Sequence, residues 1–334
     1  MKQARRITAV LCIIALMGTI LLACSRDLDE PSNAVGTNDV NTTQNGASTA
    51  AGQAGKETAS STRKFTDYKG HEVEISTSPQ RVIFVGETFG DLVALDVNAV
   101  GGGFIKDYVF EEQVKNTEDI GFPINLEKAL GLNPDLIITG NTDEKEYEQL
   151  VKIAPTVMFD TFAPLEERMP LLGDLLGKKQ QAENWLTEYH TKAESMWKQL
   201  HEEEIEPGET ASVFTYYPGD RLFVMARTGL SQVLYDPNGF QPAGMIQDVL
   251  DANKGFEQIS AELLPEYAGD RIFILNAVDE EAQQSTEELI KSKIWLDLPA
   301  VKKGHVYTIN IIKASSDAST REWLLEELPR MLKK

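Results

Sequence analysis

Charged and aromatic side chains meet at the ends of several apolar runs in this chain, and that pairing is chemistry for holding a ligand. Glu87 and Thr88 follow the apolar run at residues 81–86. Lys106 and Tyr108 follow Gly101, Gly102 and Gly103, read as a glycine-rich turn after a short strand. Tyr216 and Tyr217 close a run that begins at Ala211, while Arg221 and Arg227 flank the next one. Lysine and arginine supply positive charge; tyrosine, phenylalanine and the flat guanidinium supply stacking surface. Together they suit a bulky anion with aromatic faces.

Reactive constellations are not found. There is no Gly-x-Ser-x-Gly elbow, no phosphate loop and no His-Glu-x-x-His pair. The glycines at 101–103 lack the remaining glycine of a dinucleotide fingerprint. The histidines, His71, His190, His201 and His305, are scattered, whereas a bare zinc or manganese site clusters several with carboxylates. The only cysteines, Cys12 and Cys24, fall near the start. The expected folded part has no thiol for a disulfide, a metal or a nucleophile. Neither an enzyme nor a resident cofactor is expected.

The first residues read as an export signal. Lys2, Arg5 and Arg6 precede an uncharged, mostly apolar stretch of about 16 residues, short of the ~20 that span a bilayer. Leu21-Leu22-Ala23-Cys24 ends it and resembles the bacterial lipobox. That resemblance implies cleavage of residues 1–23 and a diacylglycerol on the Cys24 sulfur, which would hold the protein on the outer face of the cell membrane. Residues 24–61 are rich in small polar residues and cannot bury enough apolar surface to fold, so a flexible tether with an r.m.s. span of roughly 35 Å is expected. The chain has 32 Lys and Arg against 52 Asp and Glu. That balance speaks against nucleic acid as a partner and leaves room for local cations in a cleft.

The elements that must position the candidate residues alternate between strands and helices, which predicts an α/β fold. Strands are expected near residues 81–86, 99–101, 136–139 and 156–159 in a first lobe spanning 62–165. A linking segment at 166–206 carries one long helix, with Ala182, Trp185, Tyr189, Ala193, Met196, Trp197 and Leu200 at helical spacing. A second lobe, 207–334, repeats the alternation with strands near 211–216, 221–226, 271–275 and 306–309 and a closing helix near 320–333. The lobes echo one another. Asn125-Leu126-Glu127 is followed eight residues after the glutamate by Asp135, and Ser260-Ala261-Glu262 is followed eight residues after its glutamate by Asp270. Each segment reads as a capping residue, a glutamate in the first helical turn, a short helix and a strand.

With Pro79-Gln80-Arg81-Val82, Asp119-Ile120-Gly121, Leu132-Asn133-Pro134-Asp135, Ile153-Ala154-Pro155-Thr156, Leu175-Leu176-Gly177-Lys178 and Gly304-His305-Val306-Tyr307 in this order, the chain resembles the solute-binding proteins for ferric siderophores, heme and cobalamin. The resemblance implies two pseudo-symmetric α/β lobes joined by one long rigid helix, a ligand cleft between them, and delivery to an ABC importer. It implies that Glu127 and Glu262 meet arginines of the membrane permease. For the ligand, the cations and tyrosines above lead to an expected ferric siderophore of catecholate type, with iron present only inside the bound complex, held by Glu87, Thr88, Lys106, Tyr108, Tyr216, Tyr217, Arg221 and Arg227. Heme or cobalamin on the same scaffold, and a surface sensor reusing it, are the alternatives. A monomer is expected.

Overall fold

The computed structural model describes residues 61–103 and 105–333. The expected export signal, the expected lipidation at Cys24 and the expected tether as far as residue 60 lie outside the described residues, which all fall within one compact unit. Strand β1 (Thr62–Thr66) pairs antiparallel with β2 (Glu72–Ser76). This hairpin has no counterpart among the expected elements, because only Val73 and Ile75 of β2 turn inward to mark it.

The first sheet contains β3 (Val82–Val85), β4 (Gly101–Gly103), β5 (Glu118–Asp119), β6 (Leu136–Thr139) and β7 (Thr156–Met158). All run parallel in the order β5-β4-β3-β6-β7. β3 and β6 are continuous buried runs, the signature of strands covered on both faces. β4 corrects an expectation: the three glycines form a strand, not a turn. A Cβ on Gly102 would lie 2.5 Å from the Phe89 ring, and one on Gly101 2.6 Å from Leu132. The missing side chains let those residues close over the strand.

Two helices follow, Leu165–Leu175 and the long helix Lys179–Glu203. The long helix has 25 residues, about 38 Å of rise. Its Ala182, Tyr189 and Ala193 belong to the core of the first lobe, and its Met196, Trp197 and Leu200 to a core of the second. Fully burying a large apolar side chain is worth ~1.5–3 kcal/mol, so this helix is fastened independently at each end.

The second sheet contains β8 (Thr210–Tyr217), β9 (Arg221–Met225), β10 (Gln241–Pro242), β11 (Phe256–Ile259), β12 (Arg271–Asn276) and β13 (Val306–Asn310). Its order is β11-β9-β8-β12-β13, with β10 beside β8. The run β8-β12-β13 is parallel like β3-β6-β7, but β9 and β11 alternate in direction. The sequence echo has a structural basis at its aspartates. Asp135 accepts the backbone N–H groups of Gln80 and Arg81 at 2.7 and 2.9 Å, just before β3. Asp270 accepts Thr210 N–H at 3.1 Å, at the start of β8. In each lobe, the aspartate before one strand ties down the entry of its neighbour.

The closing helix Ala318–Leu332 makes a second strut. Ala318 packs in the first lobe's core and Leu324, Leu328, Met331 and Leu332 in the second's. Its entry is polar and buried. Arg168 donates to Asp91 at 3.0 Å and to the Ser316 carbonyl at 2.8 Å, and Asp91 accepts Ala318 N–H at 2.7 Å. Asp317 caps the helix by accepting Thr320 N–H at 2.8 Å. Burial, and then the nearby Asp91 carboxylate, push the Asp317 carboxyl up to about 6. Among the described residues, no helix is long and apolar enough to cross a membrane.

Candidate functional site

A cleft of about 690 Å³ opens between the two sheets, within the ~300–1,000 Å³ usual for small-molecule sites. One wall comes from loops beyond the carboxyl ends of β3 and β4, where open α/β sheets place ligands. It carries Glu87, Ile105, Lys106, Asp107 and Tyr108. Asp119, Phe122 and Phe162 extend the same side. The facing wall is the β8–β9 hairpin, with Thr215, Tyr217, Phe223 and Met225, joined by Phe256 of β11. The floor is the segment at 311–316, where Ser315 Oγ donates to the Glu87 carbonyl across the lobes at 3.1 Å.

Strand alternation decides which hairpin residues face the ligand. Successive side chains point to opposite faces, so Thr215 and Tyr217 enter the cleft while Phe214 and Tyr216 pack into the core behind it. The Tyr216 hydroxyl donates to Asp220 at 2.8 Å, and burial followed by that bond pushes it up to about 12. The Tyr217 ring meets Phe223 edge-on at 6.1 Å, and Phe223 meets Phe256 likewise at 5.7 Å. On the opposite wall Tyr108 stacks on Phe110 at 5.1 Å. Burial first, then the carboxylates of Asp317 and Glu87, raise the Tyr108 phenol well above its usual range.

The charges are distributed differently from the sequence-based expectation. Lys106 lines the cleft, but its ammonium lies 2.7 Å from Asp119, whose carboxyl is held down by that bond and by Gly121 N–H. Arg221 is exposed. Its guanidinium lies over the Tyr217 ring, 5.5 Å from the centroid, and it donates to the Pro218 carbonyl at 3.0 Å. Arg227 is half-exposed beside Thr228, and neither arginine is among the lining residues. Thr88 is fully buried behind the wall, where its hydroxyl finds no partner among the described residues. Of the eight candidates, the structure brings Glu87, Lys106, Tyr108 and Tyr217 together in the cleft. Thr88, Tyr216, Arg221 and Arg227 lie behind it or at its margin.

Phe122, Phe162, Phe223, Phe256 and Met225 line the cleft without having been singled out. Phe223 and Met225 carried a readable signal, being on the same strand phase as the outward residues of β9. The histidines lie elsewhere: His71 pairs with Asp67 at 2.9 Å, His190 with Glu166 at 3.0 Å, His201 with the Asn238 carbonyl at 2.8 Å, and His305 faces the Asp270 carbonyl. Among the described residues, no group of three or more His, Cys, Asp or Glu is placed to hold a metal ion.

The pattern of the periplasmic binding protein family matches residues 104–311, which contain most of both walls. A curated relative, the iron(3+)-hydroxamate-binding protein YxeB of Bacillus subtilis, is 30% identical over 268 residues, 78% of this chain and 82% of the relative. The chain belongs to the periplasmic binding protein family. Another family member, the iron(3+)-hydroxamate-binding protein FhuD of Bacillus subtilis, is 29% identical over 72% of this chain and 76% of its own. Among solved structures, Staphylococcus aureus SirA complexed with staphyloferrin B superposes with a TM-score of 0.71 at 28% identity, covering 81% of this chain and 98% of that one. These likenesses bear out the two-lobed α/β fold and the family expected from the sequence. The relatives named here are binding proteins.

Proposed function

We propose that this protein captures a ferric siderophore between its lobes and delivers it to an ABC importer. The observation that carries the reading is the interlobe cleft, walled by Tyr108, Phe122, Phe162, Tyr217, Phe223 and Phe256, in a chain whose relatives are named for iron(3+)-hydroxamate binding. The rings offer a broad apolar surface for the organic shell of an iron complex.

The charge of the lining favours a hydroxamate over the catecholate read from the sequence. Tris-catecholate iron is a trianion. The cleft presents Glu87, Asp107 and Asp119 against the single, already paired Lys106. At about 8 Å and an effective dielectric of about 40, each like-charge pair costs ~1 kcal/mol. With Asp119 neutralised by Lys106, the two unpaired carboxylates Glu87 and Asp107 still set several such like-charge pairs against ring-on-ring contacts worth ~0.5–1.5 kcal/mol each. A trihydroxamate iron core is neutral and avoids that repulsion. Intrinsic fluorescence titration tests both levels. Saturable quenching by an iron trihydroxamate, at least about tenfold tighter than by an iron tris-catecholate, is the expected result. The reverse order would overturn the hydroxamate reading, and no binding of either would overturn the siderophore reading. A heme reading needs an axial ligand, and with the histidines engaged elsewhere Tyr108, Tyr217 and Met225 are the described lining residues that could offer one.

The reading includes two further roles. Cys24 carries the lipid that keeps the protein on the outer face of the membrane, a role supported by the lipobox resemblance. Glu127 and Glu262 contact the permease, supported by their exposure and their matched positions before β6 and β12.

A further inference from the structure

Glu87 is an ionisable group in the cleft that the described residues leave without a partner. It lies two residues beyond β3, and its backbone carbonyl is fixed by Ser315 of the other lobe. Its side chain lines the cleft and is exposed there to solvent and to any bound ligand. Among the described residues no ammonium, guanidinium or hydrogen-bond donor meets it. Lys106, the lining cation, is taken by Asp119 at 2.7 Å. Burial alone, uncompensated by any partner, raises its carboxyl above the ordinary range. An unpaired, partly desolvated carboxylate costs stability. At the wall of a ligand cleft, the group that answers it belongs to the ligand.

We propose that Glu87 sets the charge selectivity of the cleft by receiving an ammonium or other cationic arm of the bound iron complex. The inference rests on the siderophore reading and narrows it to neutral-core complexes that carry a pendant amine, with anionic complexes excluded. The carboxylate gains a charge-assisted hydrogen bond on binding and loses its unpaired state in the same step.

Two iron complexes with the same trihydroxamate core test this in the intact folded protein: ferrioxamine B, which has a free primary ammonium, and its N-acetylated, neutral form. Wild-type protein should bind ferrioxamine B at least about tenfold more tightly than the acetylated complex, the worth of one charge-assisted contact. In Glu87→Gln that preference should fall to about one, with the affinity for the acetylated complex retained. Glu112→Gln, an exposed carboxylate outside the cleft lining, should keep the wild-type preference. A wild-type preference near one overturns the proposal, as does a preference that survives in Glu87→Gln. The wild-type comparison needs no variant, so a misfolded substitution cannot rescue the idea. Failure of both complexes to bind folded wild-type protein overturns the siderophore reading and this inference with it. Equal binding of both overturns this inference alone.

Discussion

Single residues at the cleft separate sharply by which way the backbone turns them. Tyr216 and Tyr217 are neighbours of the same type, yet one is anchored to Asp220 behind the sheet and the other faces Phe223 across the cleft. Tyr217→Ala should therefore weaken siderophore binding by roughly tenfold, the loss of a stacking wall. Tyr216→Ala should leave affinity unchanged and lower the melting temperature instead; titration and thermal unfolding of the two variants read this directly. Equal loss of affinity in both would mean that the hairpin register differs. Asp317 offers a second residue-scale test. Its folded carboxyl is raised to about 6, above the ordinary aspartate value of 3.8. The folded state thus holds a proton that the unfolded state has released. Stability contributed by this group is present below about pH 4 and is lost as pH rises through about 6. Asparagine caps a helix as well as aspartate and carries no charge. Asp317→Asn should stabilise the protein at pH 7 by up to ~3 kcal/mol, with the gain vanishing near pH 4, as denaturant unfolding at the two pH values would show. A gain independent of pH would assign the effect to packing.

At the scale of elements, the polar knot at the start of the closing helix joins the lobes. Arg168 is 1% exposed and Asp91 fully buried, and between them they bind Ser316, Ala163 and Ala318. Removing one member of a buried pair leaves the other charged and unpaired, at a cost of ~3–5 kcal/mol. Arg168→Ala should lower unfolding stability by about that amount, and a loss below about 1 kcal/mol would show that the knot is not a strut. This knot was not legible in the sequence, because Asp91 and Ala318 lie at opposite ends of the chain and neither belongs to a motif. What was legible had local causes. β3 and β6 are unbroken aliphatic runs, and the long helix repeats its apolar residues every three or four positions. β4 was misread because glycines usually mark turns, whereas here they make room for Phe89 and Leu132. The cleft was half legible for the same reason. Strand ends pointed to Glu87, Lys106, Tyr108 and Tyr217, but the packing of one lobe against the other decided that Phe122 and Phe162 face inward and that Arg221 lies on the outside of Tyr217.

The whole molecule is a pair of lobes held at a set spacing by two struts, the long helix and the closing helix, each with apolar residues in both cores. That construction gives the two exposed glutamates a common frame. Glu127 lies in the first turn of the helix Leu126–Gly131, capped by Asn125, which accepts Lys128 N–H at 3.0 Å. Glu262 lies in the turn Ala261–Leu263, where the Ser260 side chain bonds the glutamate itself instead of capping the backbone, holding its carboxyl below the usual range. Neither meets a cation among the described residues. A carboxylate in a first helical turn favours its helix by ~0.3–1 kcal/mol at most, so losing either should barely alter the fold. If the pair docks on a permease, each should contribute a charge-assisted contact of ~1.5–3 kcal/mol to a complex held at two points. Glu127→Ala combined with Glu262→Ala should therefore leave ferric siderophore affinity and melting temperature nearly unchanged while abolishing uptake of the iron complex by cells. Each single variant should retain partial uptake, since one lobe still engages. Normal transport by the double variant would remove the docking role, and a double variant that binds ligand weakly or melts early would assign the glutamates to the fold instead.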